Sequence, residues 1–233
     1  MIYSISGYLV EYEPRYPRLE IRSSKYIAED QTASPDFSIV ISDDDINAHI
    51  AKYPMEPELA EYVVAGVKFY EEIINRGGFF LHSAAVCVDG KGYAFTGPCG
   101  AGKSTHATLW RAYFKDKVIS INDDKPVIRI IDDKVYICGT PFSGKYNINA
   151  NVIVPLKGIS ILCQHPENSI CRVSSKEALP VLLEQTLRPD DPVKTMSLFS
   201  MLDKVLSDVP VYKLYCDISK EAIELSYGVM SQG

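Results

Sequence analysis

Gly97-Pro98-Cys99-Gly100-Ala101-Gly102-Lys103-Ser104 fits the spacing G-x-x-x-x-G-K-[ST], and it lies between an apolar run at 92–96 and a helical pattern at 104–114. Glycines at this spacing let successive backbone N–H groups turn inward around phosphate oxygens, while the N-terminus of the following helix adds the positive end of its dipole. Lys103 then reaches the β- and γ-phosphates of a nucleotide, and Ser104 offers its hydroxyl to Mg²⁺, a hard ion that keeps several waters. Cys99 reads as a small residue at a tolerant position. Twenty residues beyond Lys103, Ile119-Ser120-Ile121 runs into Asn122-Asp123-Asp124. Adjacent side chains at a strand end diverge, so one carboxylate can face a metal while the other faces an acceptor hydroxyl. Like charges side by side also raise one pKa, which suits a base. Asp132-Asp133, by contrast, reads as a solvated turn.

These residues need a framework. The 233 residues suffice for one large domain with a real core. Hydrophobic residues at 46% and charged residues at 23% exclude disordered, collagen-like and membrane-bundle classes. With 24 Lys and Arg against 30 Asp and Glu, the net charge of −6 argues against a nucleic acid partner, so any bound anion needs a local pocket. The six cysteines form no C-x-x-C pair, and no apolar run is long enough to span a bilayer. The expectation is a cytoplasmic protein with reduced thiols and no membrane contact. Strand-like pieces at 3–12, 19–21 and 37–41, closed by Asp43-Asp44-Asp45, predict a small antiparallel cap. Apolar residues from Leu59 to Ile73 recur at three and four, predicting a helix. Residues 79–88 and 92–96 read as a hairpin around Asp89-Gly90-Lys91. Further on come a short buried strand at 118–121, a hairpin over 126–138 and a strand pair at 152–162 broken at Pro155. Helices are expected at 176–185, 193–206 and 221–230, with a strand at 211–215.

Leu81-His82-Ser83-Ala84-Ala85-Val86, the hairpin, the Gly-rich loop and the strand ending in Asp123-Asp124 together resemble the catalytic domain of HPr kinase/phosphorylase. That family shares its nucleotide site with phosphoenolpyruvate carboxykinases. The motifs cover residues 79 to 165. The resemblance implies an α/β fold, a P-loop mixed β-sheet flanked by helices, with an N-terminal β/helix elaboration (1–78) and a catalytic domain (79–233) that together can form one unit. It implies that Gly97, Pro98, Cys99, Gly100, Ala101, Gly102, Lys103, Ser104 and Thr105 hold ATP with Mg²⁺. The aspartate pair then supplies a metal contact and an acid/base, either residue being able to serve as the base. The preferred assignment gives Asp123 the proton and Asp124, with Ser104, the metal, and His82 orients the pair.

The chain departs from that family where the Glu-Arg-Gly and Arg-Pro-Gly-Arg strings would fall. It carries instead Cys138-Gly139-Thr140-Pro141-Phe142-Ser143-Gly144-Lys145, a loop rich in backbone donors whose cation, Lys145, can stabilise a moving phosphoryl group. The expected activity is transfer of the γ-phosphoryl of ATP to a serine-type hydroxyl on a small molecule, peptide or small protein, and the resemblance implies a homo-oligomer. The rival readings are a nucleotide-binding regulatory module and a phosphoenolpyruvate carboxykinase-like lyase.

Overall fold

The computed structural model describes residues 1–233. Its first strands, β1 (Ile2–Ile5) and β2 (Tyr8–Glu11), fold back on each other antiparallel through Ser6 and Gly7, both at positive φ. Then come α1 (Pro17–Ser23), a two-residue strand β3 (Phe37–Ser38) parallel to β2, α2 (Asp43–Lys52) and α3 (Pro57–Ile74). The three- and four-residue apolar spacing of α3 does what it predicts: Ala60, Phe69, Tyr70 and Ile73 are buried against Tyr3, Val10, Phe37 and Phe142.

A nine-stranded mixed sheet follows: β4 (Gly78–Phe80), β5 (Ser83–Val88), β6 (Lys91–Thr96), β7 (Val118–Asn122), β8 (Val127–Ile131), β9 (Lys134–Cys138), β10 (Ile153–Gln164), β11 (Ser169–Arg172) and β12 (Val211–Cys216). Helix α4 (Lys103–Phe114) joins β6 to β7, α5 (Ser175–Glu184) and α6 (Pro192–Asp208) lie between β11 and β12, and α7 (Lys220–Met230) ends the chain. β10 is the central strand. It pairs antiparallel with β9 over Ile153 to Pro155, then parallel with β6 and with β12. One apolar cluster joins the sheet to α5 and α6, and another joins it to α4 and α7 around Trp110, so both faces are covered. A third unites β1 to β3 with α3 and takes in Val127, Cys138 and Phe142, so packing runs across the 78/79 junction. No helix is long and apolar enough to cross a membrane.

Several local expectations are corrected. Residues 19–21 are helical, because Pro17 stands at the start of α1, where a missing N–H costs nothing. Asp43 to Asp45 begin α2 instead of closing a strand: Ser42 and Asp45 form a reciprocal capping box, and the acids sit at the positive end of the helix. β3 runs parallel, so the cap is mixed. The segment 152–162 is one continuous strand, Pro155 marking where β10 exchanges an antiparallel neighbour for parallel ones. β7 is an edge strand, with Ile119 46% exposed.

Candidate functional site

Strand β6 delivers Thr96 into a loop where Gly97, Gly100 and Gly102 have φ of 140°, 82° and 96°. Side-chain-bearing residues resist those angles. At Gly100 and Gly102 no atom would obstruct a Cβ, so backbone conformation alone requires glycine there. Gly102 caps α4 with no side-chain acceptor, and no acidic residue stands in the first turn, which leaves the positive end of a 12-residue helix without a side-chain counter-charge. The Lys103 ammonium donates to the carbonyls of Gly97 at 2.7 Å and Pro98 at 3.1 Å, folding back over the loop. Burial lowers its pKa. From β10, the Gln164 amide donates to Gly100 O at 2.7 Å and ties down the far side of the loop.

Asn122 sets up the carboxylate pair. Its Oδ1 accepts from the backbone N–H groups of Asp124 (2.9 Å) and Lys125 (2.7 Å), turning the chain as β7 ends, while its Nδ2 donates to Thr140 O at 3.0 Å. The two aspartates therefore separate. Asp123 Oδ1 accepts from Gly144 N at 2.6 Å. Asp124 Oδ1 lies 3.2 Å from His82 Nε2, and its Oδ2 accepts from the Lys125 ammonium. Burial pushes the Asp123 carboxyl up, and the Gly144 hydrogen bond offsets this only in part. Burial also opposes the Asp124 anion, but the hydrogen bond to His82 and the charge of Lys125 outweigh it and draw its pKa down to about 2. His82 is held at the β4–β5 junction, where its N–H donates to Gln185 O at 2.7 Å and the next N–H, of Ser83, donates to Asp124 O at 3.0 Å.

Loop and pair meet in space. A cavity of about 320 Å³ between α4, β5 and β7 is lined by Ser104, Thr105, Arg111 and Asp123, with Tyr146 on its wall. A second, of about 470 Å³, adjoins it at the start of α4, between Gly102, His106, Gln164, Asp217 and Ile218. Thr105 borders both.

No protein-family model and no curated protein matches this chain. One solved structure that does is the HPr(Ser) kinase/phosphatase from Coxiella burnetii. It is 14% identical, with 66% of this chain and 99% of that one covered and a TM-score of 0.32. The likeness is distant and concerns structure only.

The structure thus brings Ser104 and Asp123 to one cavity and His82 to Asp124. Lys145 is exposed and follows Gly144, with its ammonium 5.8 Å from the ring centroid of Tyr146, which lines the same cavity as Asp123. Cys99 is a free, exposed thiol in the loop. Trp110 is fully buried and packs against Tyr93 and Phe95, so it offers no face to a ligand. No group of three or more His, Cys, Asp or Glu side chains converges to hold a metal. Sequence reading missed Asn122, Lys125 and Gln164. The first two flank the aspartate pair and were legible as an Asx turn and a neighbouring cation; Gln164 carries no local mark.

Proposed function

We propose that this chain is an ATP- and Mg²⁺-dependent phosphotransferase that moves the γ-phosphoryl group to a hydroxyl. The observation that carries the reading is the single cavity lined by both Ser104, which closes the phosphate loop in the first turn of α4, and the half-buried carboxylate of Asp123. The residues fit the group they would hold: three glycines at positive φ, a helix N-terminus without a side-chain counter-charge, a lysine folded over the loop and a hard hydroxyl oxygen. Mg²⁺, if bound by Ser104 and Asp124, would supply neutralisation of phosphate charge. In this reading Gly97 to Thr105 bind the nucleotide, and Lys103 exchanges its two loop carbonyls for phosphate oxygens. Asp123 accepts the acceptor's proton, since of the two carboxylates it is the one whose pKa is raised. Asp124, with Ser104, faces the metal, and His82 and Lys125 hold it as an anion. The cavity of about 470 Å³ is the room available to the nucleoside.

The test follows γ-labelled ATP with Mg²⁺ and cell extract split into small-molecule and macromolecular fractions. Lys103→Ala is expected to abolish transfer. Asp123→Asn should keep nucleotide affinity within about twofold while lowering kcat by about 10²- to 10⁴-fold. Transfer retained in both variants would overturn the assignment.

A further inference from the structure

Arg22, at the end of α1, is 8% exposed, and each of its hydrogen bonds goes to a carbonyl or hydroxyl oxygen. Nη1 donates to Ser143 O at 2.9 Å, Gly144 O at 3.0 Å, Ser143 Oγ at 3.3 Å and Tyr62 OH at 3.1 Å; Nη2 donates to Lys145 O at 3.4 Å. The guanidinium carbon also stacks 4.8 Å from the Tyr62 ring centroid, and the Tyr62 hydroxyl in turn donates to Ser143 O at 2.9 Å. Burying a cation is costly unless its donors are satisfied, and here the satisfaction comes almost wholly from three consecutive residues, 143 to 145. The middle one, Gly144, donates its own N–H to Asp123 Oδ1 at 2.6 Å. Its two faces are therefore engaged in opposite directions: the carbonyl by the N-terminal unit, the amide by the carboxylate. A guanidinium fork suits such a task because its planar donors fix several acceptors at once.

We propose that Arg22 is a positioning residue for Asp123, acting through the peptide groups of Ser143 to Lys145, so that the N-terminal unit helps to build the site. The inference rests on the phosphotransfer reading for its kinetic consequence but not for its structural one. Ser143 is held from a second side by the Asn149 amide, at 2.9 Å from its Oγ, and Tyr26 OH fixes Asn149 at 3.0 Å, so the loop has anchors other than Arg22 and need not unfold when Arg22 changes.

The experiment uses the full chain with Arg22→Lys, which keeps the charge and loses the fork, and Tyr62→Phe, which removes one hydroxyl. Each is made alone and with Asp123→Asn. Amide exchange at Gly144 is expected to quicken at least tenfold in Arg22→Lys and less in Tyr62→Phe, with thermal midpoints close to the parent. Arg22→Lys should lower kcat on the order of 10- to 100-fold while leaving the dissociation constant for Mg-ATP unchanged. It should add nothing further once Asp123 is Asn, because residues acting as one unit are not additive. Unchanged Gly144 exchange, or full additivity with Asp123→Asn, overturns the proposal. If the parent chain transfers no phosphoryl group, the functional reading falls while the Gly144 result still decides the role of Arg22.

Discussion

Asp123 and Asp124 are one position apart in the chain and differ in the company each keeps. Asn122 turns the backbone between them, so Asp123 meets only a backbone amide while Asp124 meets an imidazole and an ammonium. Their pKa values are driven apart by those surroundings, the pattern that separates an acid/base from an electrostatic partner. His106 shows the same logic in the core. Its Nε2 accepts from Trp110 Nε1 at 3.0 Å, and an indole nitrogen can only donate, so Nε2 carries no proton. Burial lowers the His106 pKa from 6.5 to about 4. A folded-state pKa below the unfolded one means stability that is complete above pH 6.5 and lost as pH falls towards 4. The loss should reach up to about 3 kcal/mol. His106→Gln, which keeps an acceptor for Trp110, is expected to flatten that slope in urea titrations across the window.

At the scale of elements, the loop between β9 and β10 is seated by a close approach. A Cβ on Gly139 would stand 1.7 Å from Ala150 O and 2.8 Å from Ile121 O. Gly139→Ala must therefore displace the strand ends that carry Asn122, at a cost on the order of 3 kcal/mol read from the urea midpoint. This is a contact that sequence alone does not disclose, because the partners, Ala150 and Ile121, lie well beyond the reach of any local pattern. The strand–loop–helix arrangement around Gly97 to Ser104, by contrast, was legible because its signals are local: glycine spacing, preceding strand and following helix all lie within 92–114. Most long helices and the 126–138 hairpin were legible for the same reason. α1 was misread because Leu19-Glu20-Ile21 alternates like a strand, and only the position of Pro17 and the burial of Leu19 and Arg22 reveal a helix. Arg22 itself is invisible from sequence as a site residue, since 121 positions separate it from Ser143.

For the molecule as a whole, the N-terminal unit and the sheet share one interior. Tyr3, Val10, Leu19 and Tyr26 belong to the same apolar cluster as Phe142 and Val127. Removing residues 1–41 would strip the cover from α3 and the donors from the 143–145 loop. The shortened chain is expected to lose cooperative unfolding and to bind the apolar dye ANS, measured by calorimetry and fluorescence. The cavities of about 470 and 320 Å³ adjoin along α4, where Thr105 and Leu109 line both. The central place of β10 has a consequence in time. Its parallel neighbours lie far off in the chain, Ile159 pairing with Ala94 on one side and with Val211 on the other. During synthesis the nascent chain holds an unpaired strand edge until Val211–Cys216 emerges, an interval in which β10 is open to association with a second chain.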